Sequence, residues 1–231
     1  VTVGQNGTIF TSSNGITWTK KYSGTTAHLR GIAYGNRLFV TVGNHGMILT
    51  SSDGTSWTSR NSGSSKTLMR VTYGNGLFVT VGKEGTILTS SNGISWTQRR
   101  TGKFTYLYGV TYGNGLFVSV GSKGTILTSS NGTSWTQRTS GTSEYLQGVT
   151  HGHGTFVTVD SLGTIRTFSD GTSLIERTFE TSEVLKRVTF GNELFVTVGS
   201  KGTILTSSDG ISWTQRESGT LNVLNGVTYS Q

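Results

Sequence analysis

The sequence predicts an all-β fold, a six-bladed β-propeller built from four-stranded blades of 39 residues. Three observations predict it. The chain repeats itself without insertion, each repeat holds four short β-like runs separated by turn signals, and the composition suits strands. Of 231 residues, 34 are Gly, 13% are charged, and none is Pro or Cys. That is neither a helical-bundle composition nor a charge-rich disordered one.

The period is read from a seven-residue phrase found at 12–18 (SSNGITW), 51–57 (SSDGTSW), 90–96 (SSNGISW), 129–135 (SSNGTSW) and 207–213 (SSDGISW). Its acid or amide, Asn14, Asp53, Asn92, Asn131, Asp170 and Asp209, recurs every 39 residues. A fixed period near 40 with four strands is the signature of propeller blades. A β-solenoid or prism is the competing repeat fold, but solenoid coils are shorter per turn and lack regular hairpin punctuation.

In the third repeat RVTY (70–73) and LFVTVG (77–82) flank Gly74-Asn75-Gly76, and Asn-Gly between apolar runs is a strong hairpin signal because both central residues accept φ > 0. TILTSS (86–91) follows the tight turn at 82–85, and Asn92-Gly93 turns the chain into SWTQRR (95–100). The expected blades are 226–229 with 1–22, then 31–61, 70–100, 109–139, 148–178 and 187–217, in a single domain over 1–231. Tyr229 corresponds to Tyr34 and Val1 to Val40, so GVTY (226–229) is expected to supply the innermost strand beside 1–22 and close the ring.

Within the phrase, a carboxylate or amide can accept from backbone N–H groups two residues on, Gly takes positive φ, and the aromatic buries area between sheets. The aromatic is Trp18, Trp57, Trp96, Trp135 or Trp213, and the fifth repeat replaces it by Leu174. All these roles are structural. The phrase resembles the Asp-box of bacterial-neuraminidase-type propellers, one residue shorter at the corner. The whole repeat, GNGLFVTVGxxGTILTSSDGxSW, resembles photosystem-assembly-factor-like propellers of bacterial and phage proteins.

That resemblance raises a glycosidase. Sialidase-like enzymes imply an arginine triad, a Tyr–Glu nucleophile pair, an Asp acid and an Arg-Ile-Pro motif, which a chain without Pro lacks. A glycosidase needs two facing carboxylates about 5–9.5 Å apart. The richest local supply is Asp160, Glu176, Glu180 and Glu183 of the fifth repeat, whose spacing singles out no acid and nucleophile.

The connections between blades read TTAHLR (25–30), SSKTLM (64–69), KFTYLY (103–108), TSEYLQ (142–147), TSEVLK (181–186) and TLNVLN (220–225), with Leu held at the fifth place. They lie on the face opposite the Asn-Gly hairpins and the corners. Variable exposed loops carry binding residues in many scaffolds, and aromatics supply stacking and hot spots. The candidate ligand residues are Phe104, Tyr106, Tyr108, Tyr145, His28, Lys66 and Glu183.

Lys21, Arg60, Arg99, Arg138, Arg177 and Arg216 recur on the outermost strand as a candidate anion-binding rim. Charges there also protect an edge and cover apolar surface. Nucleic acid is not expected, because aromatics are not interleaved with these cations, although the formal charge is +8. His151-Gly-His153 lacks a third ligand at metal spacing, so neither metal nor cofactor is expected.

The expected function is a non-catalytic binding module recognising a glycan or surface polymer through the variable loops, with a protein partner as the next choice. The alternatives are a scaffold of amplified or engineered repeats and a glycosidase centred on the fifth repeat. No run approaches the roughly 20 apolar residues of a membrane-spanning helix. The chain begins at Val1, so it is expected to be a monomeric domain of a larger, extracellular or cell-surface protein.

Overall fold

The structure is a computed structural model that describes residues 1–99, 101–102, 104–169, 174–177 and 181–229. It is all-β with short 3-10 turns. Six antiparallel sheets follow the chain at 2–21, 29–60, 68–99, 107–138, 146–177 and 185–216, and in each the strands are neighbours in sequence order. The last five sheets have four strands and the first has three. By contacts the chain divides into a unit of Val1–Leu107 with Asn131–Ser134 and a unit of Tyr108–Ser130 with Trp135–Gln231.

In the second sheet the first strand, Leu29–Gly35, pairs with Leu38–Gly43, which pairs with Ile48–Ser51 and then Thr58–Arg60. Alternation sets the layers: Val40 and Val42 are buried, and Thr41, between them, is buried too, because its hydroxyl donates to the Gly31 carbonyl at 2.9 Å. Thr80, Ser119, Thr158 and Thr197 make the same bond. The hydroxyls of Thr41, Thr80, Thr158 and Thr197 satisfy a carbonyl next to the bulge that displaces the first strand by one residue. The first strands begin at Leu29, Leu68, Leu107, Leu146 and Leu185, two residues before the expected blade starts, because this Leu resumes pairing across the bulge. Each is buried.

Sheets pack face to face through apolar side chains. In the first unit Val40, Val42 and Ile48 meet Leu68, Val71, Phe78 and Leu88, with Trp96 at the margin. In the second, Val157, Val159 and Ile165 meet Leu185, Val188, Phe195, Leu205 and Trp213. Close approach is permitted at Gly35, where a Cβ would stand 2.1 Å from the Tyr73 ring.

The first sheet consists of Thr2–Val3, Ile9–Thr11 and Thr19–Lys21. Residues 226–229 follow the sixth sheet as a first strand follows the sheet before it. Leu224 N–H donates to Gly199 O at 2.9 Å, as Leu29 N–H does to Gly4 O, and a Cβ on Gly191 would touch the Tyr229 ring at 2.2 Å, the relation of Gly35 to Tyr73.

Candidate functional site

The repeated corner is a web of local bonds. Asp53 Oδ1 accepts from Thr55 N–H at 2.8 Å, Ser56 N–H at 2.9 Å and the Ser51 hydroxyl at 2.9 Å, while Oδ2 accepts from the Thr55 hydroxyl at 2.6 Å. Gly54 N–H donates to Ser51 Oγ at 2.8 Å and Trp57 Nε1 to Gly54 O at 3.2 Å. The amides Asn14 and Asn92 accept the equivalent N–H bonds through Oδ1, as does Asn131 from Thr133 and Ser134. Trp18, Trp96 and Trp213 each donate to their own corner glycine. Phe117 and Trp135 rings lie 6.5 Å apart, the spacing of Phe78 and Trp96. Gly93 is obligatory here: φ is +71° and a Cβ would meet Leu38 at 2.5 Å. The corner therefore spends its polar groups on itself. Asp170 lies outside the described residues.

The Thr55 hydroxyl and the corner N–H groups hold the Asp53 carboxyl well below the usual carboxylate range. The N–H groups of Ser212 and Ile211 hold Asp209 at about 2, below the ordinary 3.8. A depressed folded-state value means stability present above pH 3.8 and lost as pH falls towards 2. Asp53→Asn with Asp209→Asn keeps the Oδ1 acceptor, as Asn14 and Asn92 do. The double variant is expected to unfold at neutral pH like the parent and to show a smaller loss of stability on acid titration, read by circular dichroism.

The other side of each sheet is built from the turn between second and third strands and the connection between sheets. Connection carbonyls bridge successive turns. Ala27 O accepts from Gly7 N–H at 2.9 Å and His28 O from Asn44 N–H at 2.9 Å; Glu144, Tyr145, Val184 and Asn222 carbonyls repeat this in the second unit. Two hydroxyl turns shape each connection: Ser23 Oγ donates to Thr25 O, and Thr25 Oγ1 accepts from Ala27 N–H. Ser140 with Thr142, and Ser218 with Thr220, do likewise. Length and backbone are thus fixed while neighbouring side chains vary.

Those side chains meet the turns. His28 Nδ1 accepts from Asn6 N–H at 3.0 Å, Lys66 pairs with Glu84 at 2.5 Å, and Lys83 lies 5.6 Å over the Tyr106 ring. Glu183 pairs with Lys201 at 2.9 Å, and that carboxylate raises the Lys201 pKa. Tyr108 and Tyr145 are brought edge to face, ring centres 6.4 Å apart. Phe104 is 88% exposed and Tyr145 48%.

The outer-strand cations are anchored. Nε of Arg60, Arg99, Arg138, Arg177 and Arg216 each donates to a threonine hydroxyl on the third strand, at 2.8–2.9 Å. Lys21 stands in the equivalent place, across from Ile9. One guanidinium donor in each of these five repeats is therefore structural.

The fifth repeat is rebuilt in compensated pairs, which the sequence reading missed. Asp160, where other repeats have Gly, is fully buried and paired with Arg166, which stands where four repeats have Leu and the first has Phe10; Arg166 also reaches Glu176 at 3.1 Å. Asp160 Oδ1 caps the N–H groups of Leu162 and Thr164 at 2.9 Å. Phe168 replaces the corner Ser and stacks on Phe156 at 5.2 Å, beside Leu174, where the Trp is lost. Simultaneous Gly-to-Asp and Leu-to-Arg changes in one repeat were the available signal. Asp160 is no candidate acid, and Glu180 lies outside the described residues. Arg70 and Arg187, also unremarked in the sequence, each donate to two carbonyls of the bulges: Arg70 to Arg30 and Met69, Arg187 to Gln147 and Lys186.

The His151 ring is tilted against Phe156, ring centres 4.7 Å apart, and its Nε2 is buried without a hydrogen-bond partner. His153 pairs with Glu193 at 3.2 Å, and among the described residues no three His, Cys, Asp or Glu gather as metal ligands. Burial lowers the His151 pKa from 6.5, so stability is complete above pH 6.5 and lost as pH falls below it. His151→Tyr, the residue of Tyr73 and Tyr112, is expected to remove that part of the pH dependence. Denaturant midpoints of parent and variant at pH 5 and pH 7, the window set by a histidine of roughly 6.5, check it.

The model of the DUF6242 beta propeller domain matches residues 27–146, just over half of the chain. The chain belongs to this family. Structures similar to this DUF6242 propeller include YCF48 bound to D1 peptide (20% identity, 92% of this chain and 75% of that one, TM-score 0.71) and YCF48 from Cyanidioschyzon merolae (16%, 96% and 81%, 0.72). A third is a chain of the nidogen/laminin complex (11%, 93% and 90%, 0.71). At these identities the DUF6242 chain shares their fold. No curated protein matches its sequence.

Proposed function

We propose that the chain is a non-catalytic module that binds a protein partner through the connections and the turns bonded to them. One observation carries this reading: the connection backbone is pinned by recurring hydrogen bonds while the side chains it presents differ, with Phe104 and Tyr145 exposed. A rigid backbone with free side chains lowers the ordering cost of binding, and aromatics are the usual anchors of interfaces. The likeness to YCF48 bound to D1 peptide supports a protein partner over a glycan. The corner reads as a shortened Asp-box serving the fold, and an extracellular or cell-surface setting suits the module.

A random-peptide array and a glycan array probed with the purified chain test the proposal. Saturable peptide binding, weakened tenfold or more by Phe104→Ala with Tyr145→Ala, is the expected result. That loss corresponds to about 1.4 kcal/mol. Binding confined to glycans, or peptide binding indifferent to both substitutions, contradicts the reading.

A further inference from the structure

Two open grooves occupy equivalent places in the fourth and sixth repeats. The first, about 550 Å³, is lined by Lys123, Gln137 and Arg138 with the chain from 139 to 142; the second, about 620 Å³, by Lys201, Gln215 and Arg216 with the chain from 217 to 221. Each joins a turn lysine to an outer-strand arginine, so the variable loops and the cationic strand, separate in the sequence, share one concavity. Lys, Gln and Arg coincide at these three positions in no other repeat.

The walls are fixed. Arg138 Nε is held by Thr128 Oγ1 at 2.9 Å, leaving the other guanidinium donors of the five. Ser140 Oγ donates to Thr142 O at 3.1 Å and accepts from Thr142 N–H, which sets the backbone edge.

The grooves differ in their acids: Glu217 lines the sixth, where the fourth has Thr139. In the sixth repeat the Glu183 carboxylate already sits on Lys201 Nζ at 2.9 Å. In the fourth, Lys123 has no ion-pair partner among the described residues, and no acid lines the groove. Eighteen residues before Lys201 stands Glu183; eighteen before Lys123 stands Thr105.

We infer that the groove beside Lys123 receives a carboxylate from an Asp or Glu side chain of the protein partner, the group that Glu183 supplies internally in the sixth repeat. This rests on the protein-binding reading above and adds the chemistry of one contact. Ammonium and guanidinium donors lining one groove suit a carboxylate with two acceptor oxygens. The groove is open to solvent, so the single contact is weak, with Kd on the order of 1 mM.

The test is an amide NMR titration of the full chain with acetyl-Gly-Glu-Glu-Gly-amide, with its Gln-Gln analogue, and with a glucuronate oligosaccharide. Saturable shifts at Lys123, Gly124 and 137–142 with the Glu peptide alone are expected, abolished by Lys123→Gln and reduced at least threefold between about 20 and about 150 mM salt. Glu183→Gln with Glu217→Thr, which leaves the sixth groove without either acid, is expected to add a matching set of shifts at Lys201 and 215–220. Equal shifts with the Gln peptide, or persistence in Lys123→Gln, overturn the carboxylate site, and stronger shifts with the oligosaccharide overturn the protein assignment. Loss of this site alone leaves array binding through Phe104 and Tyr145 intact; failure of the broader reading removes that as well.

Discussion

Arg166→Leu, which restores the residue of Leu127 and Leu205, is expected to destabilise the protein by about 3–5 kcal/mol, the usual loss when one partner of a buried ion pair is removed. Asp160 is fully buried, and Arg166 is its only side-chain partner among the described residues. Removing the guanidinium strands a carboxylate that must stay charged at a cost or take up a proton. Asp160→Gly in the same chain is expected to recover all but about 1–2 kcal/mol, because Gly stands there in every other described repeat. The shortfall is the strain of Leu162, which would have to take the left-handed conformation its counterparts Glu84, Lys123 and Lys201 adopt. Urea denaturation of parent, single and double variants measures all three. A single variant as stable as the parent would mean that Asp160 is not held by Arg166.

Phe168→Ser is the second large effect, expected at about 3–5 kcal/mol from the lost aromatic and the cavity left behind. Phe168 is 3% exposed and packs among Val118, Val120, Ile126, Leu146, Val149 and Phe156. Leu174 cannot fill the space, since the other repeats need a Trp there to pack beside Phe39, Phe78, Phe117 or Phe195. Leu174→Trp added to Phe168→Ser is therefore expected to regain at least half the loss, whereas Leu174→Trp alone overpacks the site and costs about 1–3 kcal/mol. Thermal midpoints of the three variants check the ordering. Additivity of the two single effects would show that the aromatic did not move between positions.

Much of the fold was legible because the repeat states each local rule several times over. Asn75-Gly76 gave the hairpin through positive φ at both residues, and the structure has both, at 46° and 75°. The corner was legible for the same reason: a short acid or amide, Gly and Trp each do one local thing. The outer-strand arginines read as a candidate anion-binding rim or as an edge guard, and their bond to a third-strand threonine depends on cross-strand register, which no local pattern encodes. The compensated pairs of the fifth repeat are ten residues apart or fewer, but only strand pairing shows that Asp160 and Arg166 face each other. On the connections, variation marked the side chains that differ between repeats. It did not reveal that Lys66, Tyr106 and Glu183 are matched to turn residues, leaving Phe104 and Tyr145 as the more exposed members.

The central claim is that the corners shape the blade and the connections meet the partner. Site-specific photo-crosslinking in the source cells tests it most directly, with benzoylphenylalanine placed singly at Phe104, at Tyr145 and, as corner controls, at the exposed Ile94 and Ile211. Positions 104 and 145 are expected to capture the same protein, with crosslinked peptides rich in Asp or Glu, and positions 94 and 211 are not. Capture of that protein from the corner positions, with none from 104 and 145, would contradict it.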